Sequence, residues 1–398
     1  MLRFLTAGES HGQALVAVLE GMPAGVPIDA AAIALDLRRR QGGYGRGRRM
    51  AIESDRAEIL SGVRRGRTTG GPIALLIPNK DWQNWQRTMH VGVEPAADAT
   101  GANRAPVTRP RPGHADLAGA LKYELDDIRD VLERASARET AARVAVAALC
   151  RQLLAAFQIE ILSHVVSIGG VGVPEPLAVH VSRIRAIPVD SPLRCADPDI
   201  ERQMIAAIDA AREAGDTLGG AFEVVVAGLP IGLGSHVHWD RKLDGRLAQA
   251  LMSIQAIKAV GIGRGPDVGR LPGSQVHDEI LLAAGEPSGT LPALRRPTNR
   301  AGGLEGGITT GEPLRVRAAM KPISSLNRAL QTVDVLTGEA TTAINQRSDV
   351  CAVPAGAVVA EAMVALVLAE AATEKFGGDS VAEIRRNVAG YLDSLLIR

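Results

Sequence analysis

"GQALVAVLEGMPAGV", Gly12 to Val26, and "GGAFEVVVAGLPIGL", Gly219 to Leu233, carry one pattern twice. Each is a strand-like apolar run that breaks at Gly-Met-Pro or Gly-Leu-Pro and a further glycine. A helix follows in both places, with Asp29 and Asp240 standing where N-caps would sit. Gly-Pro turns after strands are common, so coincidence would produce the same echo. The other reading is a fold of two pseudo-equivalent halves. Outward from the echo, alternating apolar residues mark strands at Leu2–Thr6, Ala14–Leu19, Ile73–Ile77, Phe222–Ala227 and Leu314–Ala318. Helical periodicity covers Ala30–Arg40, Glu139–Phe157, Arg241–Ile257, Ala355–Lys375 and Ala382–Leu396. Strands and helices interleave along the whole chain, which argues for a layered α+β fold. No low-complexity linker divides it, so residues 1–398 are expected to form one large domain.

With 46% hydrophobic and 22% charged residues, the 398-residue chain has a globular composition and enough length for a large core. A net charge of +1 and 3% aromatics argue against a general nucleic-acid binder, which would spread positive charge over a face and offer rings to stack bases. Cys150, Cys195 and Cys351 are odd in number and far apart, and build neither a disulfide framework nor a metal pair. The opening "MLRFLTAGESHG" reaches polar residues too early for a signal-peptide core. The run "VPAGAVVAEAMVALVLAEAA" carries Glu361 and Glu370 and reads as a buried helix rather than a membrane span. A reducing, cytoplasmic compartment is the expectation.

Against this balanced background, "RRRQGGYGRGRRM", Arg38 to Met50, packs six arginines and four glycines into thirteen residues. "GESHG", Gly8 to Gly12, matches the G-x-S-x-G nucleophile elbow in letters, but the elbow needs a helix directly after the serine. The following "QALVAVLEGM" is strand-like, so the hydrolase reading fails its context test and a polar hairpin turn remains. "RPRPGHAD", Arg109 to Asp116, sets His114 among arginines ahead of a helix-opening aspartate. Such a histidine would hold a proton only with an anion nearby. "ERASARET", Glu133 to Thr140, offers hydroxyls and free N–H groups at a helix start, and "RSDVCAVPAG", from Arg347, repeats the theme. "MKPISS", Met320 to Ser325, ends a strand with a lysine and two hydroxyls, and "FGGDS", Phe376 to Ser380, is a helix stop followed by a new cap. His236 and His238 in "SHVHW" have strand spacing but no evident third ligand, so no metal site is read. Arginine forks at element ends suit carboxylate and phosphate, and imply a small, multiply anionic ligand.

In their order and rough spacing these blocks resemble the chorismate synthase family, over essentially the whole chain. The resemblance implies a β-α-β sandwich, assembled as a homotetramer. It implies conversion of 5-enolpyruvylshikimate 3-phosphate to chorismate and phosphate, an anti-1,4-elimination that requires reduced FMN without net redox change. By the same resemblance Ser10, Arg40, Arg46, Arg49, Arg111, Arg138 and Arg347 face the substrate. Arg134, Ala135, Ser136, Gln255, Ala256, Gly306, Lys321, Pro322, Ile323, Ser324, Ser325 and Arg347 match flavin contacts. His11 matches the residue that assists the departing phosphate, His114 the one that protonates the reduced flavin, and Asp349 the base for the C6 hydrogen. No extra domain is evident, so an external flavin reductase is expected, with NADPH as indirect reductant. Cationic loops crowding one pocket would repel each other without ligand, so Arg38–Met50 and Gly261–Ser274 are expected to order on binding. An RNA-binding module would instead lose affinity steeply with salt, and a serine hydrolase would be labelled at Ser10.

Overall fold

The computed structural model describes residues 2–47, 54–282, 294–343 and 349–395. Strands β1 (Arg3–Ala7) and β2 (Ala14–Glu20) form an antiparallel hairpin around the Gly8–Gly12 turn. With β3 (Glu58–Ile59) and β4 (Ile73–Pro78) they make a sheet of order β1-β2-β4-β3. A second sheet holds β5 (Glu160–Ile168), β6 (Val171–Gly172), β7 (Gly220–Ala227), β8 (Ile257–Ile262) and β9 (Leu314–Met320), in the order β8-β9-β7-β5-β6. Both sheets are antiparallel throughout.

The helices are α1 (Ala30–Gln41), α2 (Asp116–Tyr123), α3 (Arg129–Arg134), α4 (Thr140–Ala155), α5 (Val181–Arg185), α6 (Pro198–Glu213), α7 (Leu243–Met252), α8 (Val353–Phe376) and α9 (Val381–Ser394). Alternation in β2 and β4 turns Leu15, Ala17, Leu19, Ile73, Leu75 and Ile77 inward, and α4 packs on that face. α8 packs on β5 and β7 and against α4, while α1 touches both of these helices. Apart from Glu361 the buried residues of α8 are apolar around its whole circumference, as a helix enclosed by protein requires. It is long and apolar enough to cross a membrane, yet 94% of its most apolar window is buried inside the protein.

The two echo segments share several backbone features. The strand orders β1-β2-β4 and β5-β7-β9 correspond, with α1 and α7 after each second strand and α4 and α8 after each third. The glycines closing β2 and β7 share a left-handed conformation, φ +83° at Gly21 and +79° at Gly228. Gly25 and Gly232, four residues on, do so as well, at +83° and +96°. A Cβ at Gly228 would sit 2.3 Å from the Gln158 carbonyl oxygen, whereas one at Gly25 would meet nothing within 4 Å. Gly25→Ala should therefore cost only the backbone strain, about 1 kcal/mol, and Gly228→Ala about 3 kcal/mol or more. Thermal melts of the two variants measure the difference; equal melting temperatures would contradict it.

Several expectations need correction. Asp29 caps α1, its carboxylate accepting the Ala31 N–H at 2.8 Å. Asp240 caps nothing: it lies in a single 3₁₀ turn, Trp239–Arg241, and α7 starts after Lys242. The helix expected to reach Ile257 stops at Met252, because Ile257 pairs with Met320 across β8 and β9. Between them Ala256 adopts φ +68°, and its carbonyl accepts the Lys321 N–H at 2.9 Å. Arg38, Arg39 and Arg40 belong to the last turn of α1, where positive charge suits the helix dipole, so the loop begins only at Gly42. Arg48 to Met50 lie outside the described residues. Gly261 and Ile262 belong to β8, and the stretch beyond them folds into short 3₁₀ turns at Gly265–Arg270 and Gly273–Gln275. The "FGGDS" reading holds, since α8 ends at Phe376 and Ser380 caps α9. All three cysteines are buried thiols, and burial pushes Cys150 up to about 12.

Candidate active site

Five separate pieces of chain meet around one cavity of about 530 Å³. The β1–β2 turn contributes Ser10 and His11, the segment before α2 contributes Arg111, Gly113 and His114, and the end of α3 contributes Ala135 and Ser136. Gln255 and Ala256 precede β8, and Lys321 to Ser325 follow β9. A hollow of this size with an apolar wall and a few convergent polar groups is the usual form of a small-molecule site.

The hairpin turn is fixed from behind. No helix follows Ser10, so the elbow geometry is absent, as expected. Ser10 donates its N–H to the Glu133 carbonyl at 3.1 Å, and the Ser136 hydroxyl lies 3.2 Å from the Ser10 hydroxyl. His11 Nδ1 lies 2.8 and 2.9 Å from the two Glu133 carboxylate oxygens, and its ring stacks on Trp85 at 3.8 Å. Asn79 donates to the Glu9 and Gly12 carbonyls, at 3.2 and 2.6 Å, and tightens the same turn.

Asn79 also joins this turn to the arginines. Its side-chain oxygen accepts from Arg138 Nε and Nη2 at 3.1 and 2.9 Å. Arg138 Nη1 reaches both Asp55 oxygens at 2.6 Å, and Arg40 Nη2 reaches the same carboxylate at 2.9 Å. A continuous polar chain thus runs from Arg40 through Asp55 and Arg138 to the Ser10–His11 turn. On the other side, Arg111 Nε donates to Asp116 Oδ2 at 2.8 Å, and His114 Nδ1 lies 2.5 Å from Asp116 Oδ1. Burial alone would raise the Asp116 carboxyl, but hydrogen bonds from His114 and Arg111 hold it well below the usual range. The sequence reading gave His114 arginine neighbours awaiting an outside anion; the fold supplies Asp116 as that anion. Arg46 pairs with Asp349 at 2.6 Å, and Asp349 also accepts the Gly47 N–H at 2.6 Å. Each of these arginines has an acidic partner, but Arg40 and Arg138 share the one Asp55 carboxylate and still feel each other's charge. The acids offset only part of the repulsion between the cations.

Not every residue matched by resemblance lines the cavity. Arg134 turns away to the Gly8 and Thr6 carbonyls, each at 3.0 Å, and so braces the β1 end. Gly306 sits in a hairpin turn beside His236, and Asp349 stays with Arg46. Arg49 and Arg347 lie outside the described residues. His238, at the other end of that histidine pair, lies 2.8 Å from Asp240 in an exposed turn. Sequence reasoning named Asp116 and Asp349 but missed Glu133, Glu139 and Asp55. Glu133 and Glu139 lie inside the quoted "ERASARET" block, where their charge was the available signal. Asp55 and Asn79 carried none, because their partner Arg138 is 83 and 59 residues away.

Gln255 completes the wall. Its Nε2 donates to Glu139 Oε2 at 3.4 Å, and its buried Oε1 has no partner among the described residues. Burial raises the Glu139 carboxyl, but Arg143, Thr6 and Gln255 more than offset this and keep it ionised. A carboxylate only accepts, so the Gln255 amide is turned with its oxygen as the remaining acceptor. A ligand N–H would satisfy it.

The family model described as "Chorismate synthase" matches residues 2–373. The chorismate synthase of Salinispora tropica is 61% identical over 400 residues, covering 100% of both chains. That of Thermobifida fusca is 57% identical over the same span and coverage. A crystal structure of chorismate synthase superposes with a TM-score of 0.78 at 43% identity, covering 98% of this chain and 97% of that one.

Proposed function

The chain belongs to the chorismate synthase family, and on that premise we propose that the cavity between His11, His114 and Gln255 is where it converts 5-enolpyruvylshikimate 3-phosphate to chorismate and phosphate. The carbon–oxygen bond to phosphate breaks with its electrons leaving on oxygen. A hydrogen is lost from C6, and a new double bond forms without net oxidation. The observation that carries the reading is the convergence of Arg111, His114, Ser10 and His11 on one hollow, with Arg138 and Arg40 tied to the same turn.

The residues present fit a flavin. A flat ring with an N–H edge matches the apolar wall of Leu132, Ala135, Met320, Pro322 and Ile323 and the unpartnered Gln255 oxygen. Ala135, Ser136, Gln255, Ala256 and Lys321 to Ser325 would hold it; Arg134, Gly306 and Arg347 rest on the family resemblance alone. Reduced FMN, when bound, lends electron density to the breaking bond and recovers it. The chain's own residues do the rest. Arg111, Arg138, Arg40 and Arg46, with Ser10, orient two carboxylates and a phosphate, and Arg49 and Arg347 join them by resemblance. His11 gives a proton to the leaving phosphate. His114 is a second proton carrier at the wall, held by Asp116, and Asp349 is the proposed base. His114→Ala should lower turnover at least about tenfold with substrate binding retained; unchanged turnover would remove it from the mechanism.

The corresponding strand orders and glycine turns support reading the fold as a β-α-β sandwich of pseudo-repeated halves in a single domain. On the same reading the chain works in the cytoplasm as a homotetramer, with an external flavin reductase and NADPH as indirect reductant. Leu5 and Val18, paired across the outer face of the first sheet and 76% and 36% exposed, support assembly. The test of function is anaerobic. Protein, reduced FMN and 5-enolpyruvylshikimate 3-phosphate should release phosphate and chorismate in equal amounts, with oxidised FMN as the control. No phosphate under reducing conditions would overturn the reading.

A further inference from the structure

Glu133 is a fully buried carboxylate beside the cavity, and among the described residues the hydrogen bonds of its side chain all go to one residue. Oε1 and Oε2 flank His11 Nδ1 at 2.8 and 2.9 Å, and Oε2 also accepts the His11 backbone N–H at 2.7 Å. The Glu133 carbonyl holds the neighbouring Ser10 N–H at 3.1 Å. Trp85 stacks on the imidazole at 3.8 Å with 22° between the planes, which opposes rotation of the ring. Among the described residues nothing engages Nε2, and His11 lines the cavity.

We propose that Glu133 is the positioning residue that fixes which nitrogen of His11 works on the substrate. The proposal rests on the reaction read above. An ionised carboxylate can only accept, so Nδ1 must carry its hydrogen whenever the pair is formed. Nε2 is then the working nitrogen in both protonation states. Charged imidazole gives the Nε2 proton to a phosphate oxygen as the carbon–oxygen bond breaks. The neutral ring keeps Nδ1–H on Glu133 and regains its Nε2 proton from water. Without the carboxylate the ring can adopt the other tautomer, which offers Nδ1 to the wrong side.

The experiment uses the full chain with reduced FMN and 5-enolpyruvylshikimate 3-phosphate, without oxygen. Glu133→Gln should lower kcat about tenfold or more, in the range of a lost acid–base group, and leave KM within about threefold. In the His11→Ala background the same change should do nothing further, as for residues acting as one unit. ¹⁵N spectra of the imidazole should show Nδ1–H as the neutral tautomer in the wild type and a mixture in Glu133→Gln. Wild-type protein with Nε2–H instead would overturn the proposal without any variant. An unchanged kcat in Glu133→Gln, or additive losses in the double variant, would overturn it too. A wild type that releases no phosphate would sink the reaction reading, and the nitrogen signals would still decide the tautomer, so the two failures are separable.

Discussion

His11→Ala should cost about 10²-fold or more in turnover while substrate affinity changes little, the effect expected when a positioned proton donor is removed. His11 sits at the tip of the β1–β2 hairpin with its ring pinned by Glu133 and Trp85. The fold therefore spends a buried carboxylate and an aromatic face on orienting one imidazole, which a merely structural histidine at a turn would not need. On the proposed reading the arginines carry the binding of a multiply charged substrate, so the loss should fall on kcat rather than KM. Stopped-flow measurement of phosphate release, alongside equilibrium binding of the same substrate, separates the two. Turnover equal to wild type would remove His11 from the chemistry.

The largest effect on stability should come from Glu361→Ala, about 3–5 kcal/mol. Glu361 sits inside the otherwise apolar α8 and is completely buried. It takes hydrogen bonds from Arg39 at 2.7 Å, Arg151 at 2.5 Å and the Ser163 hydroxyl at 2.5 Å, with Arg194 at 3.7 Å. Removing the carboxylate leaves these guanidinium groups in the core with Asp36 as their remaining acid. Burial raises the Glu361 carboxyl, but the field of Arg39 and Arg151 outweighs it and holds the group well below its ordinary 4.5. The unfolded chain thus binds the proton more readily than the folded one. The stabilisation is complete above pH about 4.5 and fades as the pH falls through the lower folded value. Thermal melts from pH 7 downward should show a steep acid loss in wild type that is shallower in Glu361→Ala. Equal melting temperatures at pH 7 would contradict the account.

What the sequence made legible follows from how local each signal was. β2, β4, β7 and β9 announced themselves because each carries its own apolar pattern, and the Gly-x-Pro breaks after β2 and β7 mark conformations that only those residues require. β5 did not, since its "EILSHVVSI" is buried on both faces and buries His164 against Glu223, so no alternation betrays it. α6 was passed over although Asp197 caps it and Pro198 opens it, because its buried stripe is narrow, only Met204, Ile208 and Ala211. At the site the cations and histidines were readable as residue types. Asp55 and Glu133 were not, because Asp55 meets Arg138 and Glu133 meets His11 only once distant parts of the chain have come together. That pairing changes the physical picture, because carboxylates drawn from distant parts of the chain offset part of the positive charge.

On the proposed reading the separate arginine clusters serve one anion in one hollow. Calorimetric titration of 5-enolpyruvylshikimate 3-phosphate into FMN-loaded protein tests it most directly. Lysine keeps the charge but not the planar fork, so Arg111→Lys and Arg138→Lys should each weaken binding about tenfold or more, at one site per chain. Wild-type affinity in both variants would contradict the account.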